Sequence, residues 1–302
     1  MRILFLGSSR FSKIVLDEVL NSSHEVVAVV CQPDRPAGRA QKLTPPEIKT
    51  YAQEKGLKVL QFENVNKSLD EIFELKFDLF VTASFGQIIS RDFLSRSTGL
   101  NVHPSKLPKY RGATPLQTAL LNGDNETGVT IQKMEYELDS GDIVMYQDLA
   151  IENEDDFLSL EEKSAKLGGR LLVKALDLIE AKQAVFVKQN GENATYTKKI
   201  LKEDGFLDFT KTAKEIVNKV RAIGENPGCY FYITEDRIKV KKCAICTDFS
   251  AKSGEILVKN KRFFIGAGDS LVEILRCQAP NGKMLDARDF LNGYRFKSER
   301  VN

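Results

Sequence analysis

Through the first half of the chain, short unbroken apolar runs alternate with segments that carry apolar residues every three or four positions. RILFLG (2–7), EVVAVVC (25–31), LKVLQF (57–62) and FDLFVTASFG (77–86) are apolar stretches of strand length. A strand covered on both faces reads this way, because alternate side chains go to opposite sides of the sheet. Between these runs, SKIVLDEVLNS (12–22) and KSLDEIFEL (67–75) have the helical period. Another helix is expected after Pro45 and Pro46, since proline suits a first helical turn. GLNVHP (99–104) reads as a short fifth strand, and TPLQTALLNG (114–123) as a helix with a threonine start and a glycine stop. GVTIQKM (128–134) and DIVMYQDLAI (142–151) alternate as strands do and suit an antiparallel pair, and a long helix runs through 159–181. This alternation predicts an α/β domain: a mostly parallel sheet with helices on both faces.

Residues 183–207 show no period and read as a connector. A helix is expected over 212–223. GCYFYI (228–233), DRIKVKKCAI (236–245), GEILVKNKRFFIGAG (254–268) and LVEILRCQA (271–279) then follow at short intervals. Closely spaced short strands predict a small barrel or sandwich. DARDFLNG (286–293) reads as a closing helix. The expected organisation is a first domain over 1–185, a linker over 186–206 and a β-rich domain over 207–302.

Composition narrows the class without naming it. With 42% hydrophobic and 28% charged residues, the 302-residue chain suits a soluble protein large enough for two cores. No apolar run approaches the roughly 18 residues of a membrane span. MRILFLG is too short for a secretory signal and reads as a buried strand. Five cysteines, an odd number scattered over 31, 229, 243, 246 and 277, suit reduced thiols in the cytoplasm. The net charge of +2 hides an asymmetry: from Ala194 onward there are 21 Lys and Arg against 14 Asp and Glu, a net of +7. An anionic partner for that part of the chain would account for it, and so would a well-solvated edge.

Two apparent motifs carry little. GSSRFS (7–12) follows the first strand but has one glycine, so a serine-capped turn fits better than a phosphate cradle. That argues against a dinucleotide-dependent oxidoreductase. CAIC (243–246) has the spacing of half a zinc site, but no second pair completes it and no metal is expected. The loop VCQPDRPAGRAQKLTPPEI (30–48) is different. It is long, stiffened by prolines, and carries Arg35, Arg39 and Lys42, cations that suit phosphate contacts.

The chain has two histidines, and one stands in LNVHPSKLPKYRG (100–112). On a strand, Asn101 and His103 point to the same side, so an amide and an imidazole lie together. Downstream, ELDSGDIV supplies Asp139 and Asp142, either of which could orient the imidazole. These are the parts of an acyl-transfer site without a covalent nucleophile, in which the substrate brings its own amine. They would equally suit a polar strand end.

The block from Asn101 to Asp142 resembles the signature of the folate-dependent formyltransferases, which join N-x-H-P-S-x-L-P-x-Y-x-G to a later L-D-x-G segment. NGD, TGVT and ELDSGD occur here in that family's order. Over almost its whole length the chain is most similar to the members whose acceptor is methionyl-tRNA. QPDRPAGR with KLTPPEIK resembles their inserted loop, ATYTKKILKEDGFLDF their interdomain segment, and MLDARDFLNG their C-terminal end.

The resemblance implies a Rossmann-like catalytic domain followed by a small OB-like β-barrel that binds tRNA. It also implies a monomer that moves a formyl group from 10-formyltetrahydrofolate to initiator methionyl-tRNA. Asn101, His103 and Asp139 fall on the family's catalytic trio, which selects Asp139 over Asp142. Phe85, Gly86, Gln87, Ile88 and Ile89, with Ser105, Lys106, Leu107 and Pro108, fall on the folate site. Arg35, Arg39 and Lys42 fall on the tRNA-contacting loop. Lys106 stands where the family usually has an apolar residue, GSSRFS replaces the commoner G-T-P-x-F, and no tryptophan is present. The rival expectations are a formyltransferase for a small amine and an RNA-binding protein without the chemistry.

Overall fold

The computed structural model describes residues 1–37 and 41–301. Two compact units divide the chain. One comprises Met1–Pro115, Glu126–Ala150 and Glu161–Thr197; the other comprises Leu116–Asn125, Ile151–Leu160 and Lys198–Asn302. The break at Thr197 falls inside the segment expected as linker, and two inner segments join the second unit.

In chain order the elements to Glu180 are β1 (Arg2–Gly7), α1 (Arg10–Leu20), β2 (Glu25–Cys31), β3 (Arg35–Ala37), β4 (Lys42–Thr44), α2 (Glu47–Glu54), β5 (Val59–Gln61) and α3 (Leu69–Phe73). There follow β6 (Leu79–Ala83), α4 (Arg91–Arg96), β7 (Gly99–His103), α5 (Pro115–Asn122), β8 (Glu126–Lys133), β9 (Ile143–Ala150) and α6 (Phe157–Glu180). The main sheet of the first unit has the order β5-β2-β1-β6-β7-β8-β9. Pairing is parallel from β5 to β7 and antiparallel from β7 to β9.

Alternation places the two cores. Ile3 and Phe5 of β1 pack with α1 and α6 through Val15, Leu16, Leu171 and Leu172. Leu4 and Leu6 pack on the other face with Ile72 of α3 and Phe93 of α4. Helices therefore cover both sides, and burial on two faces accounts for the apolar runs of β1, β2 and β6. Ser9 caps α1 and forms a capping box with Ser12, so GSSRFS is the capped turn its single glycine suggested. Two glycines inside α6 cost about 1 kcal/mol each in helix propensity. Close approach requires both: a Cβ on Gly168 would lie 2.6 Å from Val102 Cγ1, and one on Gly169 2.6 Å from Glu18 Cβ.

Parallel strands end on one side of a sheet. Gly7, Ala83 and His103, the last residues of β1, β6 and β7, therefore share the edge where such folds bind ligands.

In the second unit, α7 (Ala213–Ile223) precedes β10 (Cys229–Ile233), β11 (Asp236–Cys246), β12 (Ile256–Lys259), β13 (Arg262–Gly266), β14 (Leu271–Gln278), β15 (Leu285–Asp286) and α8 (Ala287–Gly293). These strands pair antiparallel in the order β10-β11-β14-β13-β12, with β15 on β14. The expected strand-rich second unit is present, and among the described residues no pairing of β10 with β12 closes it. CAIC lies within β11. Burial pushes its Cys243 thiol up, and Cys246 packs against Phe264 and Leu271. No described helix is long and apolar enough to cross a membrane.

Candidate active site

The register of β6, β7 and β8 builds the floor of the site. Thr82 lies opposite Asn101, and Asn101 opposite Gln132, so three polar side chains form a row across three strands. Leu100 and Val102 go to the apolar core on the other face. Thr82 Oγ1 donates to Asn101 Oδ1 at 2.8 Å, which fixes the amide with its NH2 outward. One N–H of Asn101 then donates to Asp139 Oδ1 at 3.3 Å.

Asp139 comes from the loop after β8, at a φ of 46°, in the left-handed region. Its side chain is 12% exposed. Gln132 Nε2 donates to Oδ1 at 2.9 Å and the Gly112 backbone N–H to Oδ2 at 2.7 Å. With Asn101, three N–H groups aim this carboxylate. Gly112, at a φ of 112°, has Thr197 Oγ1 2.6 Å from where a Cβ would stand, so the chain there accepts glycine alone.

His103 is 4% exposed. Its Nε2 lies 2.9 Å from the carbonyl of Tyr110. A carbonyl only accepts, so Nε2 carries a proton, and the nitrogen left to act is Nδ1. Nδ1 faces Asp139 Oδ2 at 3.7 Å. The expected trio therefore converges at the carboxyl end of β7. Asp142 is engaged through its backbone, whose carbonyl accepts from the Lys133 N–H at 2.8 Å. The other histidine, His24, lies against Asp177 at 3.1 Å, on α6.

The residues expected around folate divide by burial. Gly86 and Ile88 are exposed, Ile88 at 79%, whereas Phe85 and Ile89 are buried. Gln87 is engaged inside the protein: its amide accepts from Val65 N at 2.8 Å and donates to the Phe62 carbonyl at 2.8 Å. Ser105 is fully buried and donates to the Lys109 carbonyl at 2.6 Å; Leu107 is 6% exposed. These two shape the loop that contains the cis Leu107–Pro108 peptide. Lys106 Nζ lies 2.8 Å from Asp148 and 3.5 Å from Glu126, and the Asp148 hydrogen bond holds it above the usual lysine range. The unusual cation is thus matched by carboxylates of β8 and β9.

The loop expected to meet tRNA contains a hairpin of β3 and β4. Arg35 is opposite Thr44, two residues from Lys42, so Arg35 and Lys42 share a face. Both are exposed, and Arg35 pairs with Glu63 at 2.5 Å. Arg39 lies outside the described residues.

Sequence reasoning missed the surroundings of Asp139. Gln132, Arg111 and Gln189 are 1%, 7% and 8% exposed. A glutamine on the interior of an otherwise apolar strand, as in GVTIQKM, was an available signal for Gln132. Nothing comparable marked Gln189, in a segment without period.

Set on this geometry, the comparisons with known proteins are decisive about class. The model of the formyl transferase family matches residues 1–176, and that of the formyl transferase C-terminal domain matches residues 199–295. The chain belongs to the formyl transferase family. Among its relatives, methionyl-tRNA formyltransferase of Sulfurihydrogenibium sp. is 35% identical, covering 99% of this chain and 98% of the relative. The methionyl-tRNA formyltransferase of Hydrogenobaculum sp. is 38% identical over 97% of each. Solved structures share the fold at lower identity. HypX from Aquifex aeolicus in complex with tetrahydrofolic acid has a TM-score of 0.67 at 20% identity, over 96% of this chain and 47% of that one. WlaRD, a sugar 3N-formyl transferase, has a TM-score of 0.67 at 23% identity, over 94% and 99%.

Proposed function

We propose that this chain transfers the formyl group of 10-formyltetrahydrofolate to the amino group of initiator methionyl-tRNA, acting as a monomer in the cytoplasm. One observation carries it: relatives of that activity match at 35–38% identity over nearly the full length of both chains. The trio is consistent with it. Five cysteines without a disulfide suit a reducing compartment.

The chemistry follows from which atoms remain available. The acceptor amine attacks the formyl carbon, and the carbonyl oxygen gains charge. Asn101 has a second N–H beyond the one given to Asp139, and His103 presents Nδ1 beside it; the two stabilise that oxygen. Asp139 orients the Nδ1 face and, directly or through water, receives the proton the amine sheds. The C–N10 bond then breaks, and N10 takes up the proton that Asp139 or its water received from the amine. Preorganised donors of this kind contribute about 3–4 kcal/mol each when removed singly. Phe85 to Ile89 and Ser105 to Pro108 form the folate side in this proposal. Arg35, Arg39 and Lys42, with exposed Arg237, Lys239, Lys242 and Arg276 on the second unit, supply the phosphate contacts.

Replacing Arg35 and Lys42 together by alanine tests the tRNA assignment. Each lost phosphate contact should make the plot of log kcat/KM against log salt shallower by about 1. The expected result is a lower kcat/KM for methionyl-tRNA with an unchanged KM for the folate donor. An unchanged salt slope would remove these cations from the interface.

A further inference from the structure

We propose that Gln189 is a positioning residue for the reaction, holding Asp139 against Asn101 and His103 from a segment between the two family-matched regions. The inference rests on the proposed function and adds a residue to its site.

Gln189 is 8% exposed, and both polar atoms of its amide are engaged. Nε2 lies 2.9 Å from the Asp139 carbonyl, 2.7 Å from the Gly141 carbonyl and 3.2 Å from Gln132 Oε1. Oε1 accepts from Arg111 Nη2 at 2.7 Å and Nε at 3.2 Å. One amide thus grips the turn on both sides of Ser140 and also touches Gln132, the residue that donates to the Asp139 carboxylate.

This matters because Asp139 is not in a conformation the chain favours. Aspartate enters the left-handed region more readily than most side chains, but it remains a minority conformation that the surroundings must select. The two carbonyls that Gln189 binds flank Ser140, one of them belonging to Asp139 itself. Without the grip the turn can relax, and the carboxylate leaves the 3.7 Å approach to His103 Nδ1. Arg111 fixes the grip in turn, since a guanidinium donates only and so sets Gln189 Oε1 toward itself and Nε2 toward the carbonyls. Arg111 also sits next to Gly112, whose N–H meets Asp139 Oδ2. Arg111, Gln189 and the Asp139 turn therefore close a ring of contacts around the carboxylate. Gln189 touches no reacting atom; it acts through Asp139.

Gln189→Glu and Gln189→Ala separate the roles. Glutamate keeps the length and the Arg111 contact but has no N–H for the two carbonyls. Both variants should lose 10- to 100-fold in kcat, as a misplacement of about 1 Å in a supporting shell does. KM for methionyl-tRNA and for the folate donor should stay within about twofold, because both substrates are bound elsewhere. Glutamate with parental kcat would overturn the proposal, leaving Arg111 alone as the partner that counts. A lowered melting temperature with parental kcat in both variants would overturn it too, showing a purely structural residue.

A readout independent of turnover keeps this inference separable from the function on which it rests. The chain has two histidines, so the imidazole nitrogen resonances of His103 and His24 can be told apart by His24→Gln. In Gln189→Ala the His103 signals should move and those of His24 should not. Unmoved His103 signals would overturn the positioning role even if the parent formylates methionyl-tRNA. His103 signals that move in Gln189→Ala, with a parent inactive on methionyl-tRNA, would support it while overturning the substrate.

Discussion

His103→Ala should leave a folded protein whose single-turnover formyl transfer is slower by about 10²–10⁴-fold, the usual worth of a positioned acid–base group. The histidine has two separable jobs. Nε2–H satisfies the Tyr110 carbonyl, and Nδ1 faces Asp139 and the substrate side. Alanine removes both. Losing the Nε2–H hydrogen bond to the Tyr110 carbonyl costs about 0.5–1.5 kcal/mol of stability, measurable as a lower melting temperature. That cost does not touch the rate of molecules that stay folded, so the two effects are separated by comparing rate per folded enzyme with the melting curve. A rate within tenfold of the parent would make His103 a satisfied strand-end residue and nothing more.

Asp139→Asn is the second large effect, and a cleaner probe, because asparagine tolerates the left-handed backbone that Asp139 adopts at a φ of 46°. The carboxylate presents acceptors on both sides: Oδ1 to Gln132 and Asn101, Oδ2 to Gly112 N–H. An amide has one oxygen. In either orientation its NH2 meets an N–H that needs an acceptor, a mismatch worth about 1–3 kcal/mol. The negative charge facing His103 is lost as well. Transfer should fall by about 10²–10³-fold, the scale seen for removal of one electrostatic partner in such a site. Folate affinity, measured by equilibrium titration, should hold. Near-parental kcat would shift the role of proton acceptor to water alone.

The parts of this protein that are legible in the sequence share a physical cause. β1, β2 and β6 are buried on both faces, and burial on both faces is what writes an unbroken apolar run of strand length. Asn101 and His103 are legible as a pair because the strand period is local. Their meeting with Asp139 is not, since it depends on a turn that returns the chain beside β7; there the family resemblance supplies what spacing leaves open between Asp139 and Asp142. The hairpin of β3 and β4 reads as loop because prolines and charges mask a short exposed strand pair. Residues 187 and 195–197 read as linker, yet Val187 pairs with Ile143, and Thr195 and Thr197 pair with Arg111. Isolated bridges have no period to detect. Gln189 sits among them and escapes notice for the same reason. Lys106 stands out in sequence as a departure from the family, and only the structure shows that Asp148 and Glu126 match it. The spacing of short strands leaves barrel and sandwich open, the family resemblance selects the barrel, and strand pairing does not close it among the described residues.

The most direct measurement is a single-turnover assay of the full chain with charged initiator tRNA and 10-formyltetrahydrofolate, with an amino sugar nucleotide as competing acceptor. Formyl-methionyl-tRNA formed in preference to the formylated sugar, and lost in His103→Ala with tRNA binding intact, is the expected result. A folded parent that formylates the sugar and leaves methionyl-tRNA untouched would contradict the proposed acceptor while keeping the trio, and transfer to tRNA undiminished in His103→Ala would contradict the site.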